Sequence, residues 1–159
     1  MFRIGDKILH PLHGVGVIEA IANQEVLGIT KKYYMVNLTM KNMKISVPVE
    51  TVEEVGVRKI IKKEVIDEVL HDLRSKDTTE MPANWNRRYK HNLEKIKTGD
   101  VHEVAEVLRN LYLKDKKKGL SMGEKKMLDN AMQLLIGEIV CAKKLTTEKA
   151  KAVILESLH

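Results

Sequence analysis

The chain of 159 residues is short of several things: it has one cysteine, three prolines, one tryptophan and one phenylalanine, and aromatics make up only 4% of it. A single cysteine, Cys141, excludes an intramolecular disulfide and makes a reducing compartment the simpler setting. No stretch approaches the roughly 18 consecutive apolar residues needed to span a bilayer, so no membrane is expected. The start, Met1-Phe2-Arg3-Ile4-Gly5-Asp6, lacks a signal-peptide pattern, and the expectation is a cytoplasmic protein. Scarce aromatics leave no platform for stacking several bases, which speaks against an RNA-binding module. Catalytic groupings are missing as well. No paired carboxylates and no Ser/His/Asp or Cys/His arrangement stand out. Gly14-Val15-Gly16 lacks both the strand-to-helix context and the following Gly-Lys-Ser/Thr of a phosphate loop. The chain is therefore expected not to be an enzyme and to have no small-molecule substrate and no cofactor. His10-x-x-His13 spans a proline-containing turn with no Cys or carboxylate ligand nearby, and it reads as a turn pair rather than a metal site.

What is present divides into two halves of different period. The 43% of hydrophobic residues suffices for a core. From residue 6 to 55 the apolar residues recur with a period near two, in short runs broken by Gly, Pro and Asn. Strands are predicted at 7–10 and 15–22, joined by a turn at 11–14, and a hairpin at 33–38 and 43–49 turns over Thr39-Met40-Lys41-Asn42. Pro48 cannot donate to a ladder and belongs at an edge or strand end. Short strands in so few residues predict a small bent sheet or partial barrel, Tudor-like or SH3-like in size.

After Gly56 the period becomes 3.6. Val65, Ile66, Val69, Leu70 and Leu73 form one helical stripe, and 75–83 reads as a polar loop. A second helix is expected near Asn84, with Trp85, Tyr89, Leu93 and Ile96 in line and a stop at Gly99. Asp100 with Glu103, and Ser121 with Glu124, have capping-box spacing for two further helices. Thr146 or Thr147 opens a last one. The predicted class is α+β: a β domain over 1–56 followed by an all-α domain of about five helices over 57–159.

The charge is as unevenly spread as the periodicity. Net charge is +6, and the first 55 residues hold six Lys and Arg against six Asp and Glu. Residues 83–126 hold twelve against six, so the excess is local. Lys116, Lys117 and Lys118 end a helix, where cations complement the macrodipole without any partner. Arg87, Arg88, Lys125 and Lys126 lie near helix starts instead, where cations are mildly unfavourable. Such a patch suits an anionic partner, DNA above all. Trp85 admits two readings. Its helical spacing with Tyr89, Leu93 and Ile96 places it in a core, and the protein would then be an adaptor gripping an acidic partner through basic helices. Its position in a first turn, and the cost of burying an indole N–H, favour a ring that overhangs the helix end and can wedge into a DNA groove or stack on a base.

The residues also resemble a known family. Phe2-Arg3-Ile4-Gly5-Asp6-Lys7-Ile8-Leu9-His10-Pro11-Leu12-His13-Gly14-Val15-Gly16, Val47-Pro48 and Val55-Gly56-Val57-Arg58 are similar to the amino-terminal module of the CarD/CdnL bacterial transcription regulators, a module shared with the transcription-repair coupling factor. Asn84-Trp85-Asn86-Arg87-Arg88-Tyr89-Lys90, Gly99-Asp100, Ala105-Glu106-Val107-Leu108-Arg109 and Leu120-Ser121-Met122-Gly123-Glu124-Lys125-Lys126-Met127-Leu128 extend the resemblance over the helical half. It implies a Tudor-like module that binds the β subunit of bacterial RNA polymerase, joined to a helical domain on promoter DNA. A tryptophan wedged in the minor groove at the upstream edge of the bubble would stabilise the open complex. Carried over, the wedge is Trp85. DNA contacts fall on Arg87, Arg88, Lys90, Lys125 and Lys126, and the polymerase contact on Lys44, Ile45, Ser46, Val47 and Pro48. This chain departs from some relatives in having His10 where they have tyrosine, and Lys44 and Ser46 rather than arginine on the docking strand.

Overall fold

The computed structural model describes residues 1–75 and 81–159, so the greater part of the expected loop, 76–80, lies outside the described residues. Strands β1 (Lys7–His10), β2 (Gly14–Val26), β3 (Ile29–Leu38), β4 (Met43–Pro48) and β5 (Arg58–Lys59) form one antiparallel sheet in the order β4-β3-β2-β1-β5. β1 and the 43–48 strand lie where the alternation puts them. β2 and β3, however, run on to a hairpin at Leu27 and Gly28, both with positive φ (53° and 79°). This ribbon escaped the pattern because a leucine occupies a turn position that normally carries Asn, Asp or Gly. β5 also lies outside the expected β domain: Arg58 and Lys59 pair with Leu9 and Ile8, so the sheet continues past residue 56.

Side-chain alternation lets the first strand serve two cores. Ile8 packs with Ile18, Tyr34, Val36, Leu38, Val47, Val52 and Val57 inside the curved sheet, while Leu9, on the opposite face, joins the helical core. A bulge at Glu19, between the pairs Ile18↔Val36 and Ala20↔Met35, shifts the register of β2 by one residue.

The helices are α1 (Lys63–Arg74), α2 (Trp85–Lys97), α3 (Val101–Lys117), α4 (Met122–Lys143) and α5 (Thr147–Leu158). Each of the last four is capped by a side chain: Asn84, Asp100, Ser121 and Thr146 accept from backbone N–H groups of the first turn. At Asp100 the box does not close on Glu103; the Asp100 N–H donates to Thr98 Oγ1 at 3.2 Å. Ile66, Val69, Leu73, Leu108, Leu111, Leu135 and Ile139 are at most 1% exposed and form the centre of the helical core.

A clamp holds the two halves in one orientation. The Arg58 guanidinium on β5 forms a bidentate pair with Glu138 of α4, with Nη2 to Oε1 at 2.8 Å, and Nε donates to the Gly99 carbonyl. Glu138 also accepts the Ile61 N–H at 3.0 Å. Close by, backbone meets backbone: a Cβ on Gly99 would lie 2.3 Å from the Gly56 carbonyl oxygen, so only glycine fits this joint.

Candidate nucleic-acid interface

Trp85 is the first residue of α2, placed there by the Asn84 cap, whose Oδ1 accepts the Arg87 N–H at 3.2 Å. Along the stripe, burial rises away from the helix start. Trp85 is 45% exposed, Tyr89 and Leu93 are half-buried, and Ile96 is buried. The core reading of Trp85 is therefore corrected: periodicity identifies the stripe, but the first turn overhangs the bundle. Tyr89, one turn on, stacks on the indole with ring centroids 5.8 Å apart and planes inclined by 23°.

The N–H of the indole has a partner without being buried. Trp85 Nε1 donates to Ser121 Oγ at 2.6 Å. Ser121 caps α4 by accepting the Glu124 N–H at 3.2 Å, and its own hydroxyl donates to Glu124 Oε1 at 3.1 Å. Both lone pairs and the proton of this hydroxyl are in use, so its orientation is fixed. A Cβ on Gly123 would lie 3.5 Å from Trp85 Cζ2, so the ring edge rests on the first turn of α4. The sequence shows the cap at Ser121 but carries no sign that the same hydroxyl holds Trp85.

Arg88 departs from expectation. The family resemblance puts it among the phosphate contacts, yet it is only 8% exposed and its guanidinium grips Glu124, Nε to Oε2 at 2.7 Å and Nη2 to Oε1 at 3.0 Å. Nη1 donates to the Ala83 carbonyl at 3.0 Å and more weakly to that of Pro82 at 3.4 Å. The hydrogen bonds from Arg88 hold the Glu124 carboxyl below its ordinary range, against burial, which acts in the opposite direction. Glu124 raises the Arg88 value through the same hydrogen bonds. Arg88 thus ties α2 to α4 and to the chain entering α2, and its guanidinium is engaged within the fold. Arg88 and Glu124 are 36 positions apart, so spacing alone does not assign the role; tertiary packing closes the pair.

The remaining expected cations are exposed: Arg87 and Lys90 on α2, Lys125 and Lys126 on α4, none with a carboxylate partner among the described residues. Arg87 and Lys90 are three apart and share a side of α2 away from the Trp85–Tyr89 stack. Lys126 borders the stack from α4, beside Gly123 and Tyr89. Lys116, by contrast, lies 4.7 Å from the Tyr112 ring centroid and 3.4 Å from His159 Nδ1, engaged within its own end of the bundle.

Two family models cover most of this chain: "CarD-like/TRCF RID domain" matches residues 2–61 and "CarD, C-terminal domain" matches residues 68–155. "Putative transcription factor YdeB" of Bacillus subtilis (strain 168) is 37% identical over 152 residues, which covers 96% of this chain and 99% of that protein. The chain belongs to the CarD family of transcription factors. Transcription regulation is accordingly its general function, and the RID class of its β half is one through which the family interacts with RNA polymerase.

In this CarD-family chain β4 is one of the two outer strands of the sheet, and its second edge has no neighbour among the described strands. Lys44 and Ser46 on it are exposed, Ile45 and Pro48 are half-buried and Val47 is buried. Lys44 Nζ lies 3.3 Å from Glu19 Oε2, which lays its stem across the sheet. Pro48 closes the strand opposite Tyr33. At the end of β1, His10 Nδ1 accepts the Leu12 N–H at 3.1 Å, and burial, with His13 and Lys41 nearby, lowers its pKa to about 4. No helix among the described residues is long and apolar enough to cross a membrane.

Proposed function

We propose that this protein binds the β subunit of RNA polymerase through β4 and stabilises the open promoter complex with Trp85 wedged into the minor groove at the upstream edge of the bubble. The observation that carries the reading is an indole 45% exposed, backed by Tyr89 and held at its N–H by Ser121, with Lys126 bordering the stack and Arg87, Lys90 and Lys125 exposed on the same two helices. A ring fixed this way loses little freedom on binding. Contact with an unstacked base supplies about 1–3 kcal/mol, and that gain exists only where strands have parted. Arg87, Lys90, Lys125 and Lys126 supply phosphate contacts, which position the wedge without reading sequence. The polymerase contact adds a partner strand to the free β4 edge over residues 44–48, with Lys44 and Ser46 facing outward. An adaptor with Trp85 in its core does not fit so exposed a ring.

The test is the lifetime of open complexes formed by polymerase on a responsive promoter, with and without the protein. Trp85→Ala should shorten the lifetime about tenfold, a loss of about 1.4 kcal/mol, while binding of the protein to polymerase is unchanged. An unaltered lifetime would remove the wedge from the mechanism.

A further inference from the structure

Between Ser121, the cap of α4, and Gly123 in its first turn, which both touch the indole, stands an exposed residue. Met122 is 88% exposed, an apolar side chain projecting into solvent between Ser121, which holds the Trp85 N–H, and Gly123, which supports the ring edge. Among the described residues no packing role accounts for it. The helix is already capped by Ser121, and the core of α4 begins with the buried Met127. Met122 also shares a helix face with Lys125 and Lys126, three and four residues on, both exposed. A large apolar group at the base of a cationic face, next to a second exposed apolar ring, has the composition of a wedge flanked by phosphate contacts.

We propose that Met122 is a second apolar contact to promoter DNA, seated against the sugar or base edge beside the step that Trp85 opens; this rests on the wedge reading of Trp85. The two side chains divide the work by their stiffness. The indole is fixed by Ser121 and Tyr89, whereas the unbranched thioether can adjust to whatever base pair lies next to the wedge. Such a pair accommodates different sequences at the neighbouring step. The contact is apolar, so it should be insensitive to salt, unlike the contacts of Lys125 and Lys126.

Open-complex lifetime with polymerase and a responsive promoter tests this in the full-length protein. Met122→Ala should shorten the lifetime about fivefold, as expected for removing the outer part of a methionine from an apolar contact. The factor should be the same at low and moderate salt, and thermal unfolding should not change. Met122→Leu should keep most of the effect, and Met122→Gln, of similar length but polar, should behave like Met122→Ala. If Trp85→Ala shortens the lifetime and Met122→Ala does not, the second contact is refuted while the wedge stands. If Met122→Leu is as harmful as Met122→Ala, the contact is not apolar and the proposal fails. If neither Trp85→Ala nor Met122→Ala has an effect, both readings fall together.

Discussion

Removing the Glu124 carboxylate should cost this fold more than any surface charge could. The group is 1% exposed and accepts both arms of the Arg88 fork as well as the Ser121 hydroxyl. Glu124→Ala leaves a guanidinium 8% exposed with, among the described residues, the Ala83 and Pro82 carbonyls for company. Breaking one side of such a pair costs about 3–5 kcal/mol, because the orphaned charge stays desolvated. In a domain of this size that lowers Tm by roughly 6–20 °C. The double change Arg88→Met with Glu124→Leu removes both charges and should recover most of the loss, to within about 1 kcal/mol of the starting protein. Urea and thermal unfolding followed by far-UV circular dichroism measure both. A Glu124→Ala protein within about 1 kcal/mol of the parent, or a double variant no better than the single one, would refute the idea that Arg88 is a buried tie between α2 and α4.

Other perturbations separate the remaining parts. His10 is held neutral in the fold, with its pKa lowered from 6.5 to about 4, so the unfolded chain binds its proton first and stability falls as pH drops from about 6.5 to 4. His10→Gln, which can still accept from Leu12, should flatten most of that slope in unfolding curves. The Glu124–Arg88 pair works lower on the scale: its contribution is complete above the ordinary carboxyl value of 4.5 and disappears only as pH falls further, through the lowered folded value. Arg87→Glu with Lys125→Glu should weaken the open complex more at low salt than at high salt, read as the change in lifetime with potassium concentration. Ser121→Ala removes the cap of α4, at about 0.5–2 kcal/mol, and also the acceptor for the Trp85 N–H, so the indole should show greater fluorescence anisotropy loss than stability loss alone explains.

The legible parts of this molecule were those decided within a few residues. Alternation at Tyr34, Val36 and Leu38 gives β3, and the caps at Asn84, Asp100 and Ser121 give three helix starts, because each depends on near neighbours in the chain. What escaped depends on residues far apart in sequence. Arg88 and Glu124 are 36 positions apart, as are Trp85 and Ser121, and Arg58 and Glu138 are 80 apart. A cation next to a tryptophan looks the same in sequence whether it faces a phosphate or a buried carboxylate. Packing alone distinguishes Arg87 from Arg88. The same holds for β5: a two-residue strand has no period to detect, and it exists because Leu9 and Ile8 leave an edge for it.

The clamp at Arg58 gives these separate parts a common purpose. On the proposed reading, β4 holds the protein on polymerase and Trp85 meets DNA, and tethering replaces intrinsic DNA affinity only if the second contact lies where the tether delivers it. A loose joint between the halves would spread the indole over many positions and dilute its effective concentration at the bubble edge. Here the joint is closed by a buried carboxylate, Glu138, bound to Arg58 and to the Ile61 N–H, and by the Gly56–Gly99 backbone approach that leaves no room for a side chain. The joint also adds nothing to the DNA surface, since its charges are paired with one another. Modest local charge is then sufficient: the fold fixes where the ring goes, and the four exposed cations need only hold the duplex once it is there.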